Sequence, residues 1–106
     1  MSSPNDTPVL DLLASMTADS VAASSLDPAT LILVRVAALV AVDAPPVSYL
    51  LNLVVASEVG LDAEQVRGVL AAIAPIVGTA RIASATGKIV DALDVVIEVA
   101  ELDRRS

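Results

Sequence analysis

Cysteine and histidine are both absent from this chain of 106 residues. That removes the side chains that most often serve as nucleophile and general base near neutral pH. Four other residues carry what chemistry remains. Ser48 and Asn52 stand four apart, which puts them on one face of a helix, with Tyr49 beside them. Arg35 is the single charge inside the apolar stretch LILVRVAALVAV. Asn52 can hold a carboxylate or carbonyl through hydrogen bonds but cannot relay a proton. Tyr49 is either a proton donor or a packing residue with its hydroxyl at the surface. The guanidinium of Arg35 suits an anionic ligand. The reading favoured for it is a structural ion pair with Glu58, Asp43 or a carboxylate of another subunit. Ser48 and Asn52 can likewise be satisfied by backbone or by a neighbouring subunit. Arg35, Ser48, Tyr49 and Asn52 therefore form a candidate pocket for a small anionic ligand. No residue is assigned as catalytic, and no metal or cofactor is expected.

Charge narrows the partners. Six basic residues against thirteen acidic ones leave a net charge of −7, and the basic residues form no patch that could follow a phosphate backbone. Nucleic acid is not an expected partner. The opening MSSPNDTP lacks the basic start and apolar block of a signal peptide. Apolar runs are interrupted by Arg35, Asp43, Pro45, Pro46 and Asn52 before they reach the roughly 20 residues a spanning helix wants. The expectation is a cytoplasmic protein, outside the membrane.

The elements that must position these residues are helices. Residues 1–8 read as a flexible arm and 9–106 as one domain. A first helix spans about Pro8 to Ala23, with Val9, Leu12, Leu13, Met16 and Val21 directed to the core. Asp27 followed by Pro28 is an N-cap with proline at the first helical position, and the helix it opens runs to about Val42. That helix is apolar almost all round, as suits the centre of a bundle. Pro46 to about Val59 forms the next, ended by Gly60 in the left-handed conformation. Asp62 and Gln65 fit a capping box for a helix from Ala63 to about Ala74, with Leu61 and Val66 as its hydrophobic staple. Pro75 kinks or shortens that helix, and Gly78 marks a break. The last helix runs from about Thr79 to Leu102. Ile82, Ile89, Leu93, Val96 and Ala100 form its apolar stripe, widened by Ile97. Asp91, Asp94, Glu98 and Glu101 form a solvated acidic stripe beside it. The fold class is all-α, with five helices.

The pattern from Asp27 to Leu93 resembles the carboxymuconolactone decarboxylase family, which includes alkylhydroperoxidase D-like proteins. The residues that carry the resemblance are LVRVAALVA, the helix ending ASEVG, and LDAEQVRGVLAAIAPIVG. Ala56 to Leu61 and Asp62 to Val66 match the family's helix-glycine-leucine junction, and Gly78 matches its later glycine. The resemblance implies a five-helix subunit assembled as a trimer or hexamer. In the peroxidase branch, Cys-x-x-Cys-x-x-x-His opens the helix that ends in this glycine. Counting back from Gly60 places Asn52 at the His position, Ser48 at the second Cys and Pro45 at the first. A helix N-terminus lowers a thiol's pKa enough to make it attack peroxide, but it does not bring a serine hydroxyl near ionisation. Two-cysteine peroxide reduction by this chain alone is excluded.

Three functional readings follow. The first is a non-catalytic member of that family, a structural or small-ligand-binding homo-oligomer, with a catalytic homologue as a further partner. The second is a decarboxylase or isomerase acting on a small carboxylate through Arg35, Ser48, Tyr49 and Asn52. The third is a helical protein-interaction module that uses its last helix. Helix faces built from small aliphatic side chains bury little area each, and that favours an oligomer in all three.

Overall fold

A computed structural model describes residues 6–105, with side chains described for 7–94 and for Leu102. Among the described residues the chain forms five helices and no strand. They are α1 (Asp6–Ala23), α2 (Pro28–Ala41), α3 (Pro46–Glu58), α4 (Ala63–Val77) and α5 (Thr79–Arg105). Residues 1–5 of the expected arm lie outside the described residues. The helix begins at Asp6, two residues ahead of the expected Pro8.

Helices α2 to α5 make one bundle. Helix α2 packs on α3, α4 and α5, and α3 in turn packs on α5. The buried side chains repeat at helical spacing on each element: Ile32, Val36 and Val40 on α2, Tyr49, Leu53 and Ala56 on α3, Ala85, Ile89 and Ala92 on α5. Val66 joins from α4 and Ala44 from the turn between α2 and α3. Each fully buried Val, Leu or Ile contributes about 1.5–3 kcal/mol, so a core with a single aromatic, Tyr49, is a modest one. The stripe expected on α5 is partly present. Ile89 is buried, Ile82 and Leu93 pack at its edge, and Ala85 and Ala92 complete it. The side chains of Val96, Ile97, Ala100, Glu98 and Glu101 lie outside the described ones, while Asp91 and Asp94 are exposed.

Local signals act as their residue types dictate. The Asp27 carboxylate accepts from the Thr30 amide at 2.7 Å and opens α2. At α4, Asp62 accepts from the Gln65 amide at 2.9 Å, and the Gln65 side chain accepts from the Asp62 amide at 3.0 Å. Helix α3 ends with Gly60 at φ +83°. There the Leu61 amide donates to the Ala56 carbonyl and the Gly60 amide to that of Ser57, the paired bonds of a Schellman ending. Helix α2 ends the same way, with Ala44 donating to Leu39 and Asp43 to Val40. Here the left-handed position, φ 53°, is taken by Asp43 rather than glycine, a residue whose short polar side chain tolerates it.

Two expectations need correction. Pro75 does not end α4, which continues through it to Val77. The carbonyl that loses its donor belongs to Ala71, on the exposed side of the helix, where water can replace the bond. The larger correction concerns α1. Val9, Leu12, Leu13, Met16 and Val21 do not reach the core, and every described side chain from 7 to 23 is exposed. The buried cluster is filled from α2 to α5 and the α2–α3 turn, and no residue of α1 belongs to it.

Candidate functional site

Arg35 lies one turn along α2 from Leu31, on a face turned away from the Ile32, Val36 and Val40 stripe. It lines an open groove of about 730 Å³ between α1 on one side and α2 with α3 on the other. Leu31, Leu39, Leu51 and Val55 give the groove apolar walls, and Met16 and Val21 of α1 form its rim. Asn52 lines the same groove from α3. The structure thus brings Arg35 and Asn52 together.

Arg35 is half-buried, and its Nη2 donates to Ser20 Oγ of α1 at 3.1 Å. Neither Asp43 nor Glu58 is in ion-pair contact with it. Asp43 is engaged elsewhere. It holds Lys88 Nζ at 3.0 Å and accepts from Ser84 Oγ at 2.9 Å, which ties the α2–α3 turn to α5. Lys88 also donates to the Ala44 carbonyl at 2.9 Å. Hydrogen bonds from Lys88 and Ser84, in that order, hold the Asp43 carboxyl below its ordinary value of 3.8. One of the partners expected for Arg35 is therefore held by a lysine whose position along the chain gave no cue. Arg35 keeps most of its five donors for something else.

Asn52 Nδ2 donates to the Ser48 carbonyl one turn back, at 2.9 Å. One amide hydrogen is spent on the helix and the other faces no assigned partner. Ser48 is half-buried and adjoins the groove only through this bond. Tyr49 is not part of it at all. Its ring is 0% exposed at the centre of the core, and its hydroxyl finds no hydrogen-bond partner among the described residues. Burial, and then the nearby Asp43 charge, raise the phenol above its ordinary value of 10.0. A phenol so placed stays neutral and packs. Of the four sequence candidates, two line the groove, one borders it and one sits in the core.

Sequence reasoning missed the α1 side of the groove. Ser20 and Thr17 lie in a stretch with no motif, and only the serine's position fifteen residues before Arg35 hints at contact between successive helices. A second cavity of about 400 Å³ lies between α3, α4 and α5, with Leu61, Leu70 and Leu93 on its walls and Arg67 at its edge. None of the four candidates borders it. Among the described residues, no three carboxylates gather to hold a metal ion, and no helix is long and apolar enough to cross a membrane. No family model, curated protein or solved structure matches the chain.

Proposed function

We propose that this chain is a carboxymuconolactone decarboxylase-like subunit without catalytic machinery, one that self-associates and holds a small amphiphilic carboxylate in the groove beside Arg35. The observation that carries the reading is a half-buried guanidinium on an apolar wall whose assigned partner is a neutral serine hydroxyl. A charge kept partly from water needs an anion to offset the cost. The groove supplies aliphatic walls for a hydrocarbon tail and the second Asn52 amide hydrogen for the headgroup. Its volume is within the range of small-molecule sites. The helix junction from Ala56 to Val66 and the five-helix order support the family likeness, and the missing Cys and His support a loss of thiol chemistry.

The enzyme reading is less well supported. It needed Tyr49 beside Arg35, and Tyr49 is sealed in the core. The interaction reading had placed its surface on the last helix. Ile82, Ala85, Ile89, Ala92 and Leu93 of α5 are turned into the bundle, and Val90 and Leu102 are its large apolar side chains that stay exposed among the described residues.

Decanoate serves as a probe. Titration calorimetry of the wild-type protein should show saturable binding, and Arg35→Gln should weaken it at least tenfold. A hydrogen bond to a charged group is worth about 1.5–3 kcal/mol, and each 1.4 kcal/mol is a factor of ten. Equal affinity in the two proteins would remove Arg35 from the site and the reading with it.

A further inference from the structure

Measured against its mass, the single chain has too much surface. A monomer of 10.7 kDa should expose roughly 5,500 Å², and this one exposes 7188 Å². Its radius of gyration is 15.3 Å, where about 13 Å suits a globular chain of this length. Exposed apolar side chains contribute to it on two helices. On α1, Val9, Leu10, Leu12, Leu13, Met16 and Val21 are all exposed, Leu10 at 63%. On the outer face of α3, Val47, Leu51, Val54 and Val55 are exposed, Leu51 at 65%. Met16, Val21, Leu51 and Val55 all line the Arg35 groove, so the two surfaces meet along it.

We infer that the α1 arm of one copy of this chain lies across the outer face of α3 in another, roofing the groove that holds Arg35. The inference rests on the reading of the chain as a self-associating subunit and does not depend on the ligand. Three observations choose a second copy as the occupant. The excess of roughly 1,700 Å² per chain is the size of surface that a stable, obligate contact removes from water. The spacings are those of two helices that can interlock. Val9, Leu13 and Met16 recur at four and three on α1, and Val47, Leu51 and Val54 do the same on α3. Charge permits the contact too. Helix α3 carries no charged residue from Pro46 to Ser57, so the aspartates of α1 meet no like charge there.

The arm of a chain cannot serve its own α3 in this way. Its C-terminal half already borders the groove and Ser20 is bonded to Arg35, while the apolar side chains of its N-terminal half remain in solvent. Because each copy offers both an arm and a face, exchange closes as a pair or as a ring. In either case the partner's Val9, Leu12 and Leu13 become part of the site, and the groove becomes an enclosed chamber shared between copies.

The absence of cysteine makes a clean test. Light scattering and sedimentation equilibrium should give the full-length protein a multiple of 10.7 kDa. Leu12→Asp and Leu51→Asp, both at exposed positions, should each reduce it to the monomer mass with helical circular dichroism retained. Leu13→Cys and Leu51→Cys, mixed and mildly oxidised, should give a disulfide between the two variants, with little from either alone. A monomeric, folded wild type would overturn both self-association and this contact. A multimer indifferent to both aspartates, or cross-links formed by Leu13→Cys alone, would overturn the α1-on-α3 contact and leave self-association standing.

Discussion

Replacing Tyr49 with Phe should stabilise the protein. The ring is wholly buried and fills space next to Val36 and Val40 in the core, so Phe occupies the same volume. The hydroxyl has no partner among the described residues, and an unsatisfied buried hydroxyl costs about 1–3 kcal/mol. Its removal leaves a gap smaller than a methyl group, worth less than about 1 kcal/mol in the other direction. The net expectation is a gain of about 1 kcal/mol, or about 4–8 °C in Tm for a domain of this size. Urea denaturation at one fixed protein concentration measures it, which keeps any concentration-dependent association out of the comparison. The same variant bears on pH. The folded phenol ionises above its ordinary 10.0, so the unfolded chain loses its proton first as pH rises. Wild-type stability from this group is complete below about pH 10 and declines above it. Tyr49→Phe should remove that part of the alkaline decline. A loss of 1 kcal/mol or more on substitution would mean the hydroxyl has a partner, and the account of the core as a dry packing site would be wrong.

Further expectations follow from the same geometry. Arg35→Ala should cost less than about 1 kcal/mol in chemical denaturation, because it strands no carboxylate; a loss of 3–5 kcal/mol would reveal a buried ion pair. Gly60→Ala should cost about 1–2 kcal/mol through its left-handed backbone alone, since an added Cβ meets nothing within 4 Å. Gly68→Ala, in the exposed interior of α4 with the same open surroundings, should instead stabilise by about 0.5–1 kcal/mol; thermal melts of the pair should move in opposite directions. Asp43 and Asp27 are both held below 3.8, Asp27 chiefly by the Thr30 amide. Their stabilisation is therefore complete above about pH 4 and lost as pH falls through the folded values. With no histidine in the chain, stability should be flat from pH 5 to 8, and a transition inside that window would contradict these assignments.

The helix ends were the most legible part of the fold, because caps are local chemistry. Asp27 with Pro28, Gly60, and Asp62 with Gln65 each need only neighbours within four residues, and each is found where its residue type places it. Periodicity also placed Ile89 and Leu93 correctly on α5. What periodicity could not supply was the partner of a face. The apolar residues of α1 recur at helical spacing whether they meet this chain's core or another copy, and the pattern is blind to the difference. The partner of Asp43 was hidden for a similar reason. Arg35 stands on α2 and Asp43 in the turn eight residues later, yet it is Lys88 that reaches Asp43, across the bundle from α5. For the candidate site, helical spacing put Asn52 one turn from Ser48, where its side chain meets the Ser48 carbonyl, and Arg35 stood out as the lone charge in α2. The core position of Tyr49 depends on which side of α3 the bundle covers, and no single helix carries that information.

The central claim is that the groove recognises a carboxylate through the Arg35 charge. It is tested most directly by titrating the wild-type protein in parallel with decanoate and with decanol, two probes with the same hydrocarbon chain and different headgroups. If the guanidinium is the anchor, decanoate binds at least tenfold more tightly, and the advantage shrinks as salt screens the charge. Equal affinities for acid and alcohol, unchanged by salt, would mean the groove takes hydrocarbon alone, and the proposed role of Arg35 would be wrong.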